Sequence, residues 1–194
     1  MASHVMGKLR PFQKEAVRFA IQRGGRVMLA DEMGLGKTYQ AVALAAHYSD
    51  KWPLLVITPS SLKFQWADHM LDLLPDLPEH EVKVVTNKAD LDEGFKQVNI
   101  MSYDLCRNLK DAVSKGKFKI VICDESHFLK NWKAKRTQAV VPLISNAQHA
   151  LLLTGTPAVS RPIELWPQIS ALYPRVFSTS TWTDFVKRYC DGRQ

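Results

Sequence analysis

Six short apolar runs, spaced by helix-like stretches, constrain this chain more than any other feature. They lie at 26–30, 54–58 (Leu-Leu-Val-Ile-Thr), 82–86, 98–101, 118–123 and 149–154. Most are continuous rather than alternating, as strands are when both faces of their sheet are covered. Between them, helical periodicity runs over about 37–48, 60–73, 103–114, 133–145 and 162–172. Strand–helix alternation requires right-handed crossovers and a mostly parallel sheet, hence a three-layer α/β fold. At 194 residues the chain can bury one such core but not two full α/β domains. Ligands of these sheets collect at the carboxyl ends of the strands, so the polar motifs that follow the strands should converge on one edge.

The flanks are read the same way. From Leu9 the pattern is helical, with Pro11 suited to a first turn and Phe12, Ala16, Phe19 and Ala20 on one face. Gly24-Gly25 ends that helix. Residues 1–7 are polar and patternless and are expected to be disordered or a cloning remnant. Ser178 to Thr181 reads as a short flexible or helix-capping connection. Trp182, Phe185, Val186 and Tyr189 then mark an amphipathic helix that stops at Asp191-Gly192-Arg193-Gln194, as a chain cut rather than finished.

Between the run at 26–30 and the next helix stands Gly34-Leu35-Gly36-Lys37-Thr38. Small glycines let the backbone curl so that several N–H groups face one phosphate, and the new helix adds its positive end. Lys37 suits the β- and γ-phosphates, and the Thr38 hydroxyl suits Mg²⁺. The strict form of this pattern has glycine at position 31, where this chain has Asp31. A plain glycine-capped helix with a solvated lysine is the bland alternative. The strand before and the helix after favour a nucleoside triphosphate.

Asp124-Glu125-Ser126-His127 directly follows the most hydrophobic strand. A carboxylate there can orient Mg²⁺ through its waters, and Glu125 can position the water that attacks a γ-phosphate. A competing string, Asn87-Lys88-Ala89-Asp90, matches the pattern by which GTPases read guanine. That reading fails on order. It needs an Asp-x-x-Gly switch between Thr38 and Thr86, and the only such string, Asp31 to Gly34, lies inside the glycine loop. Residues 87–90 are therefore expected to be a polar turn.

The formal net charge of +7 permits contact with a polyanion without demonstrating it, because a solvated basic face gives the same count. Cys106, Cys123 and Cys190 are far apart and lack a Cys-x-x-Cys pair. Zinc and a disulfide framework are not expected, which fits a reducing compartment. No apolar run approaches the roughly 18 residues of a membrane span.

Taken together, the strings resemble the first RecA-like lobe of SWI/SNF-type, superfamily-two DNA-dependent ATPases. Leu9-Arg10-Pro11-Phe12-Gln13 is similar to that family's adenine-recognition segment, and Asp31 to Thr38 to its phosphate loop, which carries an acid at the first position. Pro59-Ser60-Ser61-Leu62 with Gln65-Trp66 resembles motif Ia, and Ser102-Tyr103-Asp104 the Ib-like segment. Asp124 to His127 resembles the Asp-Glu-x-His box, and Leu151 to Pro157 motif III. Asp124 to Asn131, Thr154 to Pro162 and Trp182 to Cys190 are most similar to the annealing-helicase branch, which rewinds DNA at stalled forks.

The resemblance implies roles residue by residue. Lys37, Asp124 and Glu125 would be catalytic. Gln13, Gly34, Leu35, Gly36, Lys37 and Thr38 would hold ATP, with Gln13 reading the adenine edge and Thr38 and Asp124 holding Mg²⁺. His127, Thr154, Gly155 and Thr156 would relay between ligands, with hydroxyls bonded to His127 and Gly155 supplying an unusual backbone angle. Ser60, Ser61, Lys63 and Ser102 would contact the DNA backbone without reading sequence. Trp66 is either a core residue of its helix or a base-stacking group, the former being favoured. Lys130, Lys133, Lys135 and Arg136 are equally a solvated face or a DNA track.

It also implies a lobe over 8–175, with 176–194 starting an extension toward a second RecA-like lobe of the same chain. That lobe would supply an arginine finger, so ATPase activity would require it. The remaining implications are a monomer, no membrane partner and a nuclear location. A chromatin-remodelling lobe and a non-catalytic P-loop scaffold are the alternatives. Intact Lys37, Thr38, Asp124 and Glu125 speak against the scaffold.

Overall fold

The computed structural model describes residues 1–158 and 160–190. A six-stranded parallel sheet forms its centre, in the order β1-β6-β5-β2-β4-β3. The strands are β1 Arg26–Leu29, β2 Leu54–Thr58, β3 Val82–Val84, β4 Val98–Ser102, β5 Ile120–Cys123 and β6 His149–Leu153. Helices α1 Ala2–Lys8, α2 Pro11–Gln22, α3 Lys37–His47 and α4 Lys63–Leu73 come from the first half of the chain. From the second half come α5 Tyr103–Asn108, α6 Lys110–Ser114, α7 Lys135–Asn146, α8 Trp166–Leu172 and α9 Trp182–Tyr189.

The continuous apolar runs do what two-sided burial requires. Along β2, Leu54 and Val56 enter a core built with α1 to α4, while Leu55 and Ile57 enter a second core with α5, α7 and α8. Every strand but the edge strand β3 thus supplies two cores at once. α3 crosses one face so centrally that every residue from Gln40 to Ala46 is buried. Cys106 and Cys123 are buried in the other core as free thiols, and desolvation pushes the Cys106 thiol up to about 12.

Three expectations are corrected. The opening residues are not outside the fold, because α1 forms and places Val5 in the core beside α3. α2 does not bury the face that carries its phenylalanines. Phe12 and Phe19 stay 40% and 50% exposed, whereas Gln13, Val17 and Ala20 point inward. The reason is steric and polar: small or slender residues fit close to α3, and the Gln13 amide finds backbone partners there. The stretch 103–114 is two helices, interrupted at Leu109. The expected stop at residues 191–194 lies outside the described residues.

Arg26 at the start of β1 ties the second layer together. Its guanidinium donates to the carbonyls of Ile144 and Ala147 at the end of α7, and of Ala171 and Leu172 at the end of α8. These are helix-terminal acceptors with no intrahelical donor, and a cation there also meets the negative helix ends. Tyr173 returns the link by donating to the Arg26 carbonyl at 2.6 Å. Burial lowers the Arg26 pKa from its usual value. Arg26→Ala is expected to cost roughly 2 kcal/mol in urea denaturation, and Arg26→Lys to recover only part, because an ammonium cannot fork onto two helix ends.

Candidate functional site

All strands run the same way, so every strand-to-helix loop opens on one edge, in the lateral order of the strands. The glycine loop follows β1, Thr154 to Thr156 follows β6, and Asp124-Glu125 follows β5. The serine turn follows β2, and Ser102 closes β4. Asn87 to Asp90 follows β3 at the opposite edge of the sheet, about 24 Å from β1 at ordinary strand spacing. There the Asp90 carboxylate accepts from the N–H groups of Thr86 and Asn87 and from the Thr86 hydroxyl, which holds its pKa below the usual carboxylate value. This is the polar turn expected, too distant from the glycine loop to share a ligand with it.

The glycine loop is held from both sides. Gly34 and Gly36 adopt left-handed φ values of 81° and 75°, and Gly36 caps α3. Gln13 straps the loop to α2: its Nε2 donates to the Leu35 carbonyl at 2.9 Å, while its Oε1 accepts from Arg10 N at 2.8 Å. A Cβ on Gly36 would sit 2.5 Å from that Nε2. Asp31, the departure from the strict pattern, accepts from Gln40 Nε2 on α3 at 3.0 Å, and so ties the entrance of the loop to the helix it feeds. Lys37 folds over the loop and donates to the carbonyls of Asp31 and Glu32 at 2.7 and 3.0 Å. Beside the loop lies a groove of about 290 Å³ lined by Arg10, Phe12, Gln13, Leu35 and Tyr39 among others.

Two strands away, Asp124 is only 9% exposed. Its Oδ2 accepts from Trp66 Nε1 at 2.8 Å and from the Thr58 hydroxyl at 3.2 Å; among the described residues its Oδ1 accepts only from Glu125 N at 3.0 Å. It forms no ion pair among the described residues. A buried carboxylate with spare lone pairs and no cation is a fitting partner for a hydrated Mg²⁺, whose hard oxygen preference Thr38 also meets. Glu125 sits in the left-handed region at φ 49°, an uncommon conformation for a side-chain-bearing residue that turns its carboxylate back toward His127.

Thr154 to Thr156 lie between the two halves. His127 Nδ1 is 3.2 Å from both Glu125 Oε2 and Thr154 Oγ1, and Thr154 Oγ1 accepts from Thr156 N at 3.1 Å. Both contacts fall on the same ring nitrogen, so His127 is held between the acidic box and the threonine turn. The expected hydroxyl bond to His127 is present. Gly155 differs from expectation: its φ is not left-handed, and its smallness serves close approach instead. A Cβ there would meet Met33 Cγ at 3.0 Å and Met33 N at 3.5 Å, so the turn packs against the glycine loop itself.

The expected DNA contacts divide. Ser60 and Ser61 are exposed on a 3-10 turn ahead of α4. Lys63 and Ser102 do not face outward. Lys63 is 7% exposed and donates to the Val85 carbonyl, and the Ser102 hydroxyl caps α5 by accepting from Leu105 N. Both lie where helices begin, Ser102 bonded within its own helix start and Lys63 to the backbone just past β3. Trp66 is buried as favoured, yet its indole N–H ends on the acidic box. A tryptophan in a helix gives no sign of that, nor does Thr58 at a strand end. Lys130, Lys133 and Lys135 are exposed, and Arg136 lies over the Phe128 ring.

A parallel three-layer sheet that opens a glycine loop onto a helix start, with an acidic pair two strands away, is the RecA-like P-loop class. Within that class the chain belongs to the SNF2-related family, whose domain profile matches residues 12–191. It is 45% identical over 190 residues to the Bos taurus "DNA annealing helicase and endonuclease ZRANB3", covering 95% of this chain and 18% of that protein. It is 46% identical over 192 residues to a Xenopus laevis "SWI/SNF-related matrix-associated actin-dependent regulator of chromatin subfamily A-like protein 1", covering 99% of this chain and 20% of that protein. The chain thus spans about a fifth of the length of these curated relatives. Among solved structures, the "Sulfolobus solfataricus SWI2/SNF2 ATPase core in complex with dsDNA" superposes with a TM-score of 0.74 at 26% identity, covering 94% of this chain and 39% of that one.

Gly36→Ala is expected to displace the Gln13 strap and force a strained φ. It should lower the thermal midpoint by several degrees and weaken nucleotide binding in the same protein.

Proposed function

We propose that this chain is the ATP-binding first motor lobe of a DNA-dependent ATPase and translocase of the annealing-helicase kind, acting at replication forks. One observation carries the reading. The turn after β6 touches the glycine loop through Gly155 and Met33 and the acidic box through Thr154 and His127. Nucleotide cradle, relay and water-orienting acid are therefore one contiguous structure. Resemblance to proteins named as an annealing helicase and to an ATPase core bound to duplex DNA supports the rest.

On this reading each residue has a role that its position supports. Lys37 exchanges the carbonyls of Asp31 and Glu32 for phosphate oxygens, a gain in charge complementarity. Backbone N–H groups from Gly34 to Thr38 face the phosphates, while Thr38 and Asp124 hold Mg²⁺. Glu125 orients the attacking water, since phosphoryl transfer asks the protein mainly for positioning and charge. The groove beside Phe12 and Tyr39 takes the base; Gln13 acts there as the strap of the loop as well as an adenine contact. Ser60 and Ser61 offer hydroxyls and helix-start N–H groups to the DNA backbone. The lobe takes in residues 8–175 together with α1, which packs on α3, and 176–194 start an extension toward the second lobe. A second RecA-like lobe completes the site in a monomeric, nuclear protein.

The test uses the 194-residue chain and a fluorescent ATP analogue with Mg²⁺. Binding is expected, with ATP displacing the analogue better than GTP does. Lys37→Ala should weaken it at least about tenfold, while Glu125→Gln should leave it within a few-fold. Absence of binding would refute the reading.

Turnover by this chain alone should be barely measurable, with or without DNA. An arginine finger from a second lobe is worth on the order of 10³–10⁵ in rate. Robust DNA-stimulated hydrolysis by the 194 residues would overturn the two-lobe account.

A further inference from the structure

We propose that Trp66 is a positioning residue for Asp124, and that α4 thereby couples the exposed serine turn to the metal side of the nucleotide site. The inference rests on the nucleotide reading above and adds a residue to which that reading gives no role.

The argument begins with the carboxylate. Rotation about the last bond of an aspartate is soft and nearly two-fold, so nothing intrinsic decides which oxygen faces the cleft. Here two donors settle it. Trp66 Nε1 and the Thr58 hydroxyl both end on Oδ2, turning that oxygen toward the interior and leaving Oδ1 with its single bond from Glu125 N. The indole bond is the shorter, at 2.8 Å, and comes from a side chain only 2% exposed, so neither water nor rotamer exchange competes with it. A hydrogen bond to a buried, ionised acceptor is also about twice as strong as a neutral one. The Asp124 backbone is fixed as well: its N–H donates to Ile57, and its carbonyl accepts from Tyr103 Oη at 2.7 Å. The one freedom left to this residue is the orientation that Trp66 removes.

Trp66 also has an address that Thr58 lacks. It lies on the first turn of α4, which continues directly from the 3-10 turn Ser60–Leu62 carrying the exposed Ser60 and Ser61. A helix moves as a rigid body, so a ligand that draws the serine turn carries the indole with it. The hydrogen bond to Oδ2 then lengthens or shortens, and Oδ1 swings. Binding at one end and metal coordination at the other are thus linked through one side chain, and such linkage acts equally in both directions.

Trp66→Phe removes the N–H and keeps an aromatic ring in the core. The experiment titrates Mg²⁺ into the 194-residue chain with the fluorescent ATP analogue, alongside far-UV circular dichroism. The Mg²⁺ concentration for half-maximal tight binding should rise roughly three- to tenfold, at or below the range for the partner of a direct metal ligand, because Asp124 meets the ion through its waters. Metal-free nucleotide affinity should stay unchanged. In an Asp124→Asn background, Trp66→Phe should shift nothing further, because the residue acts only through that carboxylate. An unchanged Mg²⁺ dependence, or an equal shift in the Asp124→Asn background, would overturn the proposal and leave Trp66 a packing residue. Failure of the unsubstituted chain to bind nucleotide would instead sink the nucleotide reading. Should Trp66→Phe fold poorly, Thr58→Val tests the same carboxylate and should shift the Mg²⁺ requirement in the same direction by a smaller factor; no shift there would refute the orienting role.

Discussion

Two-sided burial of the sheet governs everything else. A strand covered on both faces has no place for an unpaired polar side chain along its length, because each would face hydrocarbon. Chemistry is thereby driven to the strand ends, where the backbone leaves the sheet and its own N–H and C=O groups need partners. Parallel pairing then sends all those ends to one edge. β6, the last strand in sequence, inserts between β1 and β5. That single topological fact sets the threonine turn between glycine loop and acidic box.

The polar groups at this edge are mutually committed. Lys37 holds loop carbonyls, Gln13 straps the loop, Asp31 answers Gln40, and Glu125 shares His127 with Thr154. Each bond orients a group without neutralising it, which suits a site whose job is positioning. The left-handed φ of Glu125 belongs to the same pattern, since local strain persists where neighbours over-determine a conformation.

Much of this was legible in the sequence because it depends on strong local signals. β-like runs, most of them continuously apolar, located all six strands, and Gly34 to Thr38 located the loop. What escaped depends on which face of an element meets its neighbour. On α2 the phenylalanines of the apolar face stay half-exposed, while Gln13 turns inward, where its amide meets Arg10 N and the Leu35 carbonyl. By residue type Lys63 and Ser102 read as phosphate contacts, and nothing in the sequence signals that Lys63 donates to the Val85 carbonyl past β3 or that the Ser102 hydroxyl caps α5. Gly155 was read as a conformational glycine and proved to be a spacer, a distinction that only a neighbour, Met33, can make. Trp66 hid a polar role inside an apolar position.

The guanidinium of Arg26 has a mechanical consequence. It grips the carboxyl ends of α7 and α8 from the strand that leads into the glycine loop. At its other end α8 presents Trp166, against which the rings of Phe177, Trp182 and Phe185 pack. Force applied to α9 therefore has a stiff route to β1: aromatic nest, short helix, one cationic rivet. A tug on that outer helix is borne by the strand beneath the phosphate cradle rather than absorbed in slack chain.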